Sequence, residues 1–203
     1  SRCYFGKEMA LDKMFGMYSD SFNLIYSFKA EVERTSPGSV VEIDKHTVEY
    51  SLSGKKLHKE CFRRVFVCFK ACQTGFLERC RPYLAVDATT LNGRYRGQLV
   101  YSCALDAHNW LFLVAYGVIE AELIESWTWF FQQLKKVIGH PEGLVIHTNA
   151  CKGLETDVDD VYAGVEHREC RRHLAQNFSK KSKGKFYDEN LWPSSLTYNI
   201  KKH

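Results

Sequence analysis

Long apolar runs are missing from this sequence, and several classes of protein are excluded with them. No stretch reaches the roughly 18 uninterrupted apolar residues of a membrane-crossing helix. Proline is scarce, at 4 residues in 203, which rules out collagen-like and proline-rich disordered chains. Internal repeats are absent, and the only compositionally biased stretch is Lys180–Lys185 (KKSKGK). An excess of one charge is lacking too: 28 Lys and Arg against 24 Asp and Glu leave a formal charge of +4. That balance permits a nucleic-acid partner without demanding one. The opening segment SRCYFGKEMALDK has no apolar core of the secretory kind, so the expectation is a chain that stays inside the cell. The 8 cysteines follow no regular spacing, and free thiols are expected rather than a disulfide framework. What is present, 45% hydrophobic and 26% charged residues, suits one globular core with an additional N-terminal segment.

Residues 7–34 read as two short amphipathic helices. Leu11, Phe15 and Tyr18 share one face, and Phe22, Ile25, Phe28 and Val32 share another. Ser19-Asp20-Ser21 lies between them as an N-cap cluster. Pro37-Gly38 makes a turn, after which Ser39–Ile43 and Thr47–Leu52 lean toward strand, separated by the polar Asp44-Lys45-His46. Ser53–Lys56 reads as a linker and Phe62–Phe69 as a strand.

A more regular order begins near Arg81. Strands are expected at Pro82–Val86, ending on Asp87, at Gln98–Leu105 and at Trp110–Glu120, with the turn-rich Asp106–Asn109 between the last two. Ser126 is placed to cap a helix running to Ile138 with Trp127, Phe130, Phe131, Leu134, Val137 and Ile138 on its buried face. Leu144–Thr148 is a buried strand with Asn149 just past its end. A polar helix, a short segment around Val165 and a helix from about Glu169 into a basic tail follow. Three hairpin-compatible strands followed by α/β crossovers predict an α/β fold, a mixed sheet flanked by helices with a mainly helical N-terminal extension. Chemistry in such sheets gathers at the carboxyl ends of strands, where Asp87 and Asn149 both fall. The division expected is 1–60 as the extension, 61–180 as the core and 181–203 as a basic tail. Trp110, Trp127 and Trp129 lie in apolar periodic segments and are expected in the core.

Four blocks carry a resemblance: FRRVFVCFKACQTGFLERCRPYLAVDATTLNGRYRGQLV, LVAYGVIEAELIESWTWFFQQL, LVIHTNACKGL and EHRECRRHLAQNF. In that order, from Phe62 to Phe178, they resemble the MULE transposase domain of plant Mutator-like elements. The resemblance implies a ribonuclease-H-like fold and DDE transposition chemistry, in which three carboxylates hold two Mg²⁺ or Mn²⁺ ions that activate water or a 3′-hydroxyl against a phosphodiester. It also implies transposon-end DNA as partner, an oligomer as a possible state and the nucleus as location.

On that resemblance the first carboxylate, a catalytic and metal-holding residue, falls on Asp87. Its alternative is an acid satisfied by local backbone bonds. The second falls on Asn149, where the family's usual Ser-Asp is Thr148-Asn149 here, so the metal site is expected to have lost an anionic ligand and catalysis with it. Asp157, Asp159 or Asp160 would substitute only if the following helix reoriented. No residue matches the third carboxylate, and the core is expected to be truncated. Cys170-x-x-His173 matches the family's C-x-x-H motif and is half of a zinc site, with His167 and Cys151 as candidate additions; the other reading is Cys170 packed inward and His173 hydrogen-bonded. Glu122 reads either as an accessory acid or as an acid favoured at a helix start. Among the basic residues, Arg63, Arg64, Arg171 and Arg172 offer phosphate contacts, and Arg94, Arg96, Lys180 and Lys181 are the first choices for DNA. The alternative function is a host-adopted DNA-binding or transcription-regulating protein.

Overall fold

The computed structural model describes residues 2–16, 20, 22–52, 54–93, 95–149 and 154–195. Two helices open the chain, α1 (Arg2–Phe15) and α2 (Leu24–Thr35). The capping cluster expected between them lies partly outside the described residues, and Asn23 takes the N-cap of α2 without a side-chain bond. Two long strands follow, β1 (Val40–Leu52) and β2 (Lys55–Cys68), then α3 (Lys70–Arg79). The remainder is β3 (Tyr83–Thr90), β4 (Gln98–Leu105), β5 (Leu111–Ile119), α4 (Ile124–Ile138), β6 (Val145–Thr148), α5 (Leu154–Val161), β7 (Glu166–Glu169), α6 (Arg171–Lys181) and α7 (Lys185–Ser195). No described helix is long and apolar enough to cross a membrane.

The strands form one seven-stranded sheet in the order β1-β2-β5-β4-β3-β6-β7. All neighbours are antiparallel except β3–β6 and β6–β7, which are parallel. The mixed α/β sheet expected from the sequence is therefore present. Several local expectations need correction. The two strand fragments before residue 53 are one strand interrupted by a bulge: Asp44 pairs with Arg64 and Lys45 with Phe62, which leaves Arg63 as the extra residue. In place of the linker expected at Ser53–Lys56, Lys55 and Lys56 already belong to β2, paired with Leu52 and Ser51, and Gly54 supplies a φ of 75° just before them; Ser53 lies outside the described residues. The expected division at residue 60 falls inside β2. Beyond β3 no strand end follows Val86: the strand continues to Thr90 against β4. Helix α4 begins at Ile124 with Leu123 at its N-cap, and Ser126, expected to cap it, is buried one turn in. The stretch expected as a basic tail carries α7 through Pro193.

One face of the sheet holds the larger core. Phe66, Leu84, Val86, Val100 and Ile146 meet Phe76 of α3, Trp127, Phe130, Phe131 and Leu134 of α4, and Val158 and Val161 of α5. Each such side chain contributes on the order of 1.5–3 kcal/mol by leaving water. On the other face α2 lays Val32 and Ile25 over Val41, Val65, Val67 and Val118. Trp127 is buried and Trp129 partly so, but Trp110 corrects the expectation: it follows the turn at Asn109 and is 73% exposed. Among the described residues Cys61, Cys68, Cys72, Cys80, Cys103 and Cys170 are free thiols.

Candidate functional site

The parallel registers bring Asp87 and Asn149 together. Val86 pairs with Thr148, and β6 ends there, so Asp87 continues β3 while Asn149 leaves the end of the neighbouring strand. β7 ends alongside, with Glu169 opposite Thr148. β3 runs on past both, leaving a notch at the carboxyl ends of β6 and β7. Alternation along the strands sorts the side chains. Leu84, Val86, Ile146 and Thr148 are buried on the face of α4 and α5. Tyr83, Ala85 and Asp87 of β3, with Val145 and His147 of β6, take the opposite face, and Asn149 follows directly on the end of β6.

Asp87 is half-buried. Its Oδ1 accepts a bond from the Ala88 N–H at 2.8 Å, and its Oδ2 a long one from the Tyr101 hydroxyl at 3.5 Å, across the β3–β4 register. Burial, then the Asp87 charge, pushes the Tyr101 phenol above its ordinary range, so Tyr101 stays a neutral donor. Asn149 Oδ1 is buried with no hydrogen-bond partner among the described residues, and a buried acceptor left unpaired costs about 1–3 kcal/mol. His147 stacks obliquely on Tyr83 with ring centres 5.9 Å apart. Burial and the neighbouring His167 hold its pKa below the usual histidine value, with Asp87 opposing and His173 adding to the depression. Thr148 Oγ1 and His167 Nε2 are 2.8 Å apart. His167 and His173, which the C-x-x-H resemblance already groups with Cys170, lie close enough to His147 for their charges to act on it, although the β6–β7 register sets His167 beside Ile146, on the face opposite His147.

Cys170 is the N-cap of α6 rather than part of its body, and its N–H donates to the Thr148 carbonyl at 2.7 Å. His173, one turn on, has a buried Nδ1 without a partner. The two open the helix beside Asn149, yet no three His, Cys, Asp or Glu side chains among the described residues are placed to hold a metal. The described residues do not fit a two-cation centre: one carboxylate, one neutral amide, and Glu169, whose register with Thr148 turns it to the other face. They do not fit a closed zinc site either, since the described neighbours add no third ligand to Cys170 and His173 and Cys151 lies outside the described residues. Asp159 and Asp160 are exposed on α5, which packs by Val158 and Val161 on the far face of the sheet; the side chain of Asp157 lies outside the description.

The basic residues divide. Arg64 is withdrawn from any phosphate: 3% exposed, its Nε donates to Asp44 at 2.7 Å and its Nη1 to the Glu125 carbonyl at 3.0 Å, while its guanidinium lies 5.1 Å from the Trp129 ring centre. Arg63 is held by Glu120 at 2.9 Å and by Glu125 at 2.7 Å, and those acids keep its guanidinium well above the usual arginine value. Glu122 lies just before the N-cap of α4. Arg96 is exposed in the loop joining β3 to β4, and Lys180 and Lys181 are exposed at the end of α6; Arg94 lies outside the described residues. A family model described as the MULE transposase domain matches residues 83–177. Among curated proteins, none matches the chain.

Proposed function

The chain carries a MULE transposase domain over residues 83–177, and from that premise we propose a transposase-derived DNA-binding protein that does not itself carry out two-metal strand cleavage. The observation that carries this reading is the pair at the notch, where Asp87 stands beside a neutral Asn149. Two divalent cations a few ångströms apart need several anionic oxygens to offset their charge. An amide oxygen coordinates but supplies no charge, so replacement of the second acid removes about half the protein's charge at that position. The antiparallel β5-β4-β3 followed by the parallel β6 and β7 supports a ribonuclease-H-like assignment of the sheet. A protein of this kind acts on chromosomal DNA, in the nucleus.

Supercoiled plasmid incubated with the protein and either Mg²⁺ or Mn²⁺ is expected to remain supercoiled. Nicking that disappears in Asp87→Ala would overturn the loss of catalysis. Duplex binding, followed by anisotropy of a labelled oligonucleotide, is expected to weaken tenfold or more between 50 and 200 mM salt, as phosphate contact requires. Absence of duplex and single-strand binding at low salt would remove the DNA-binding part of the reading.

A further inference from the structure

A cleft of about 640 Å³ opens between α6 and α7. Arg172, Gln176 and Lys180 line one wall at helical spacing, continued by Lys183 in the connection just beyond α6, and Tyr187 and Trp192 line the other. Among the described residues no carboxylate lines it, and Arg172, Lys180 and Lys183 form no ion pair. The nearest acid with a described side chain on α7, Glu189, is 3.7 Å from Lys185 one turn away. Three uncompensated cations in one concavity focus a positive field. The aromatic wall is built for planar groups: Arg171 already lies 4.5 Å from the Trp192 ring centre, and Trp192 remains 44% exposed.

We propose that this cleft holds a segment of single-stranded DNA, phosphates against Arg172, Lys180 and Lys183 and bases against Trp192 and Tyr187. The proposal rests on the DNA-binding reading above and narrows it. Cations on one wall and rings on the other match the two halves of a nucleotide, and stacking on aromatic rings is how unpaired strands are held without regard to sequence. The volume lies within the range that encloses a small molecule. It admits a nucleotide or two and no duplex, whose bases are in any case stacked on each other and closed to the rings. An acidic peptide would use the lysines but leave the rings idle. The position agrees: α6 is tied at its first turn to the end of β6 through the Cys170–Thr148 bond, so the cationic wall leads away from the Asp87–Asn149 notch.

The test uses the full chain with a fluorescein-labelled ten-nucleotide oligo-dT, the same length of duplex and an abasic deoxyribose-phosphate ten-mer. Wild type is expected to bind oligo-dT with partial quenching of tryptophan emission, and the abasic strand roughly tenfold more weakly, in line with base stacking. K180E/K183E, two substitutions at solvated positions that leave the far-UV spectrum unchanged, should weaken oligo-dT at least tenfold and duplex by less than threefold. Trp192→Leu should weaken oligo-dT about tenfold, with Trp192→Phe restoring most of it. Unchanged oligo-dT affinity in both K180E/K183E and Trp192→Leu, while duplex still binds, overturns this proposal and leaves the broader reading standing. Equal affinity for abasic and oligo-dT strands also overturns it, as does displacement of oligo-dT by an equal charge of poly-glutamate. Failure of wild type to bind any of the three DNAs removes both.

Discussion

Asn149 differs from aspartate in one group, an amide nitrogen for an oxygen, and its Oδ1 is already buried beside Asp87 with no partner among the described residues. Asn149→Asp therefore places two carboxylates on adjacent strands with little change of shape. In a chelator their repulsion should lower stability by about 1 kcal/mol at neutral pH, roughly one pKa unit of mutual disfavour. Mn²⁺ at ten times its dissociation constant should then return about 1.4 kcal/mol, read as a rise in Tm of roughly 3–5 °C that wild type does not show. A variant whose Tm ignores Mn²⁺ would mean that the notch is not aligned for a cation. His147 makes a second prediction. Its folded pKa is held below the ordinary histidine value of 6.5, chiefly by burial, so the unfolded chain takes up the proton more readily. Its contribution to stability is present above about pH 6.5 and is lost as pH falls toward the folded value. His147→Gln should flatten that part of the Tm profile between pH 7.5 and 5.5; an unchanged slope would assign it to other groups. Of this site, the resemblance singles out both Asp87 and Asn149; the strand end that also pointed to Asp87 is not there, since β3 runs on to Thr90. His167 and His173 are grouped by the C-x-x-H resemblance, but His147 is not legible beside them, because pairing between β6 and β7 leaves no mark in spacing.

Elements whose apolar pattern is strong were read nearly to their ends. β4 and α4 are the clearest, since α4 buries Trp127, Phe130, Phe131, Leu134, Val137 and Ile138 at helical intervals. Helix α3 is not legible in the sequence, and its residues explain why: only Phe76 is buried in Lys70–Arg79, and Thr74-Gly75 interrupts the pattern. Gly75 is there because a Cβ would meet the Phe112 ring at 2.6 Å. The hairpin of β1 and β2 was read as fragments because the bulge at Arg63 shifts which side chains share a face. That bulge brings Arg63 and Arg64 both to Glu125, joining the hairpin to the start of α4. Arg64→Met should cost roughly 2–3 kcal/mol, the guanidinium bonds lost while its partners regain water, measured by urea denaturation; a change under 0.5 kcal/mol would show the network to be ornamental to stability. Gly117→Ala presses a Cβ to 2.5 Å from the Val65 carbonyl and against the Phe130 ring. It should separate β2 from β5 at a cost of about 1–3 kcal/mol, and a neutral Tm would contradict that closeness.

At the scale of the molecule, the sheet is unevenly supported. Its middle strands are packed on helices, and its short edge β7 carries Glu166, Arg168 and Glu169, charges that discourage further pairing. The opposite edge is a long hairpin of which β5 holds only Val65–Val67. Past the bulge its outer part, Glu49–Leu52 against Lys55–His58, is exposed throughout apart from a half-buried Leu57. A two-stranded ribbon without further support is only marginally stable in water. Amide hydrogen exchange should therefore be graded along one continuous ladder: fast at the tip through openings that leave the rest intact, and at Val65–Val67 as slow as global unfolding allows. The residue at which protection rises along β2 would mark the border of the cooperative unit, and Arg63, the unpaired residue of the bulge, is where that border should fall.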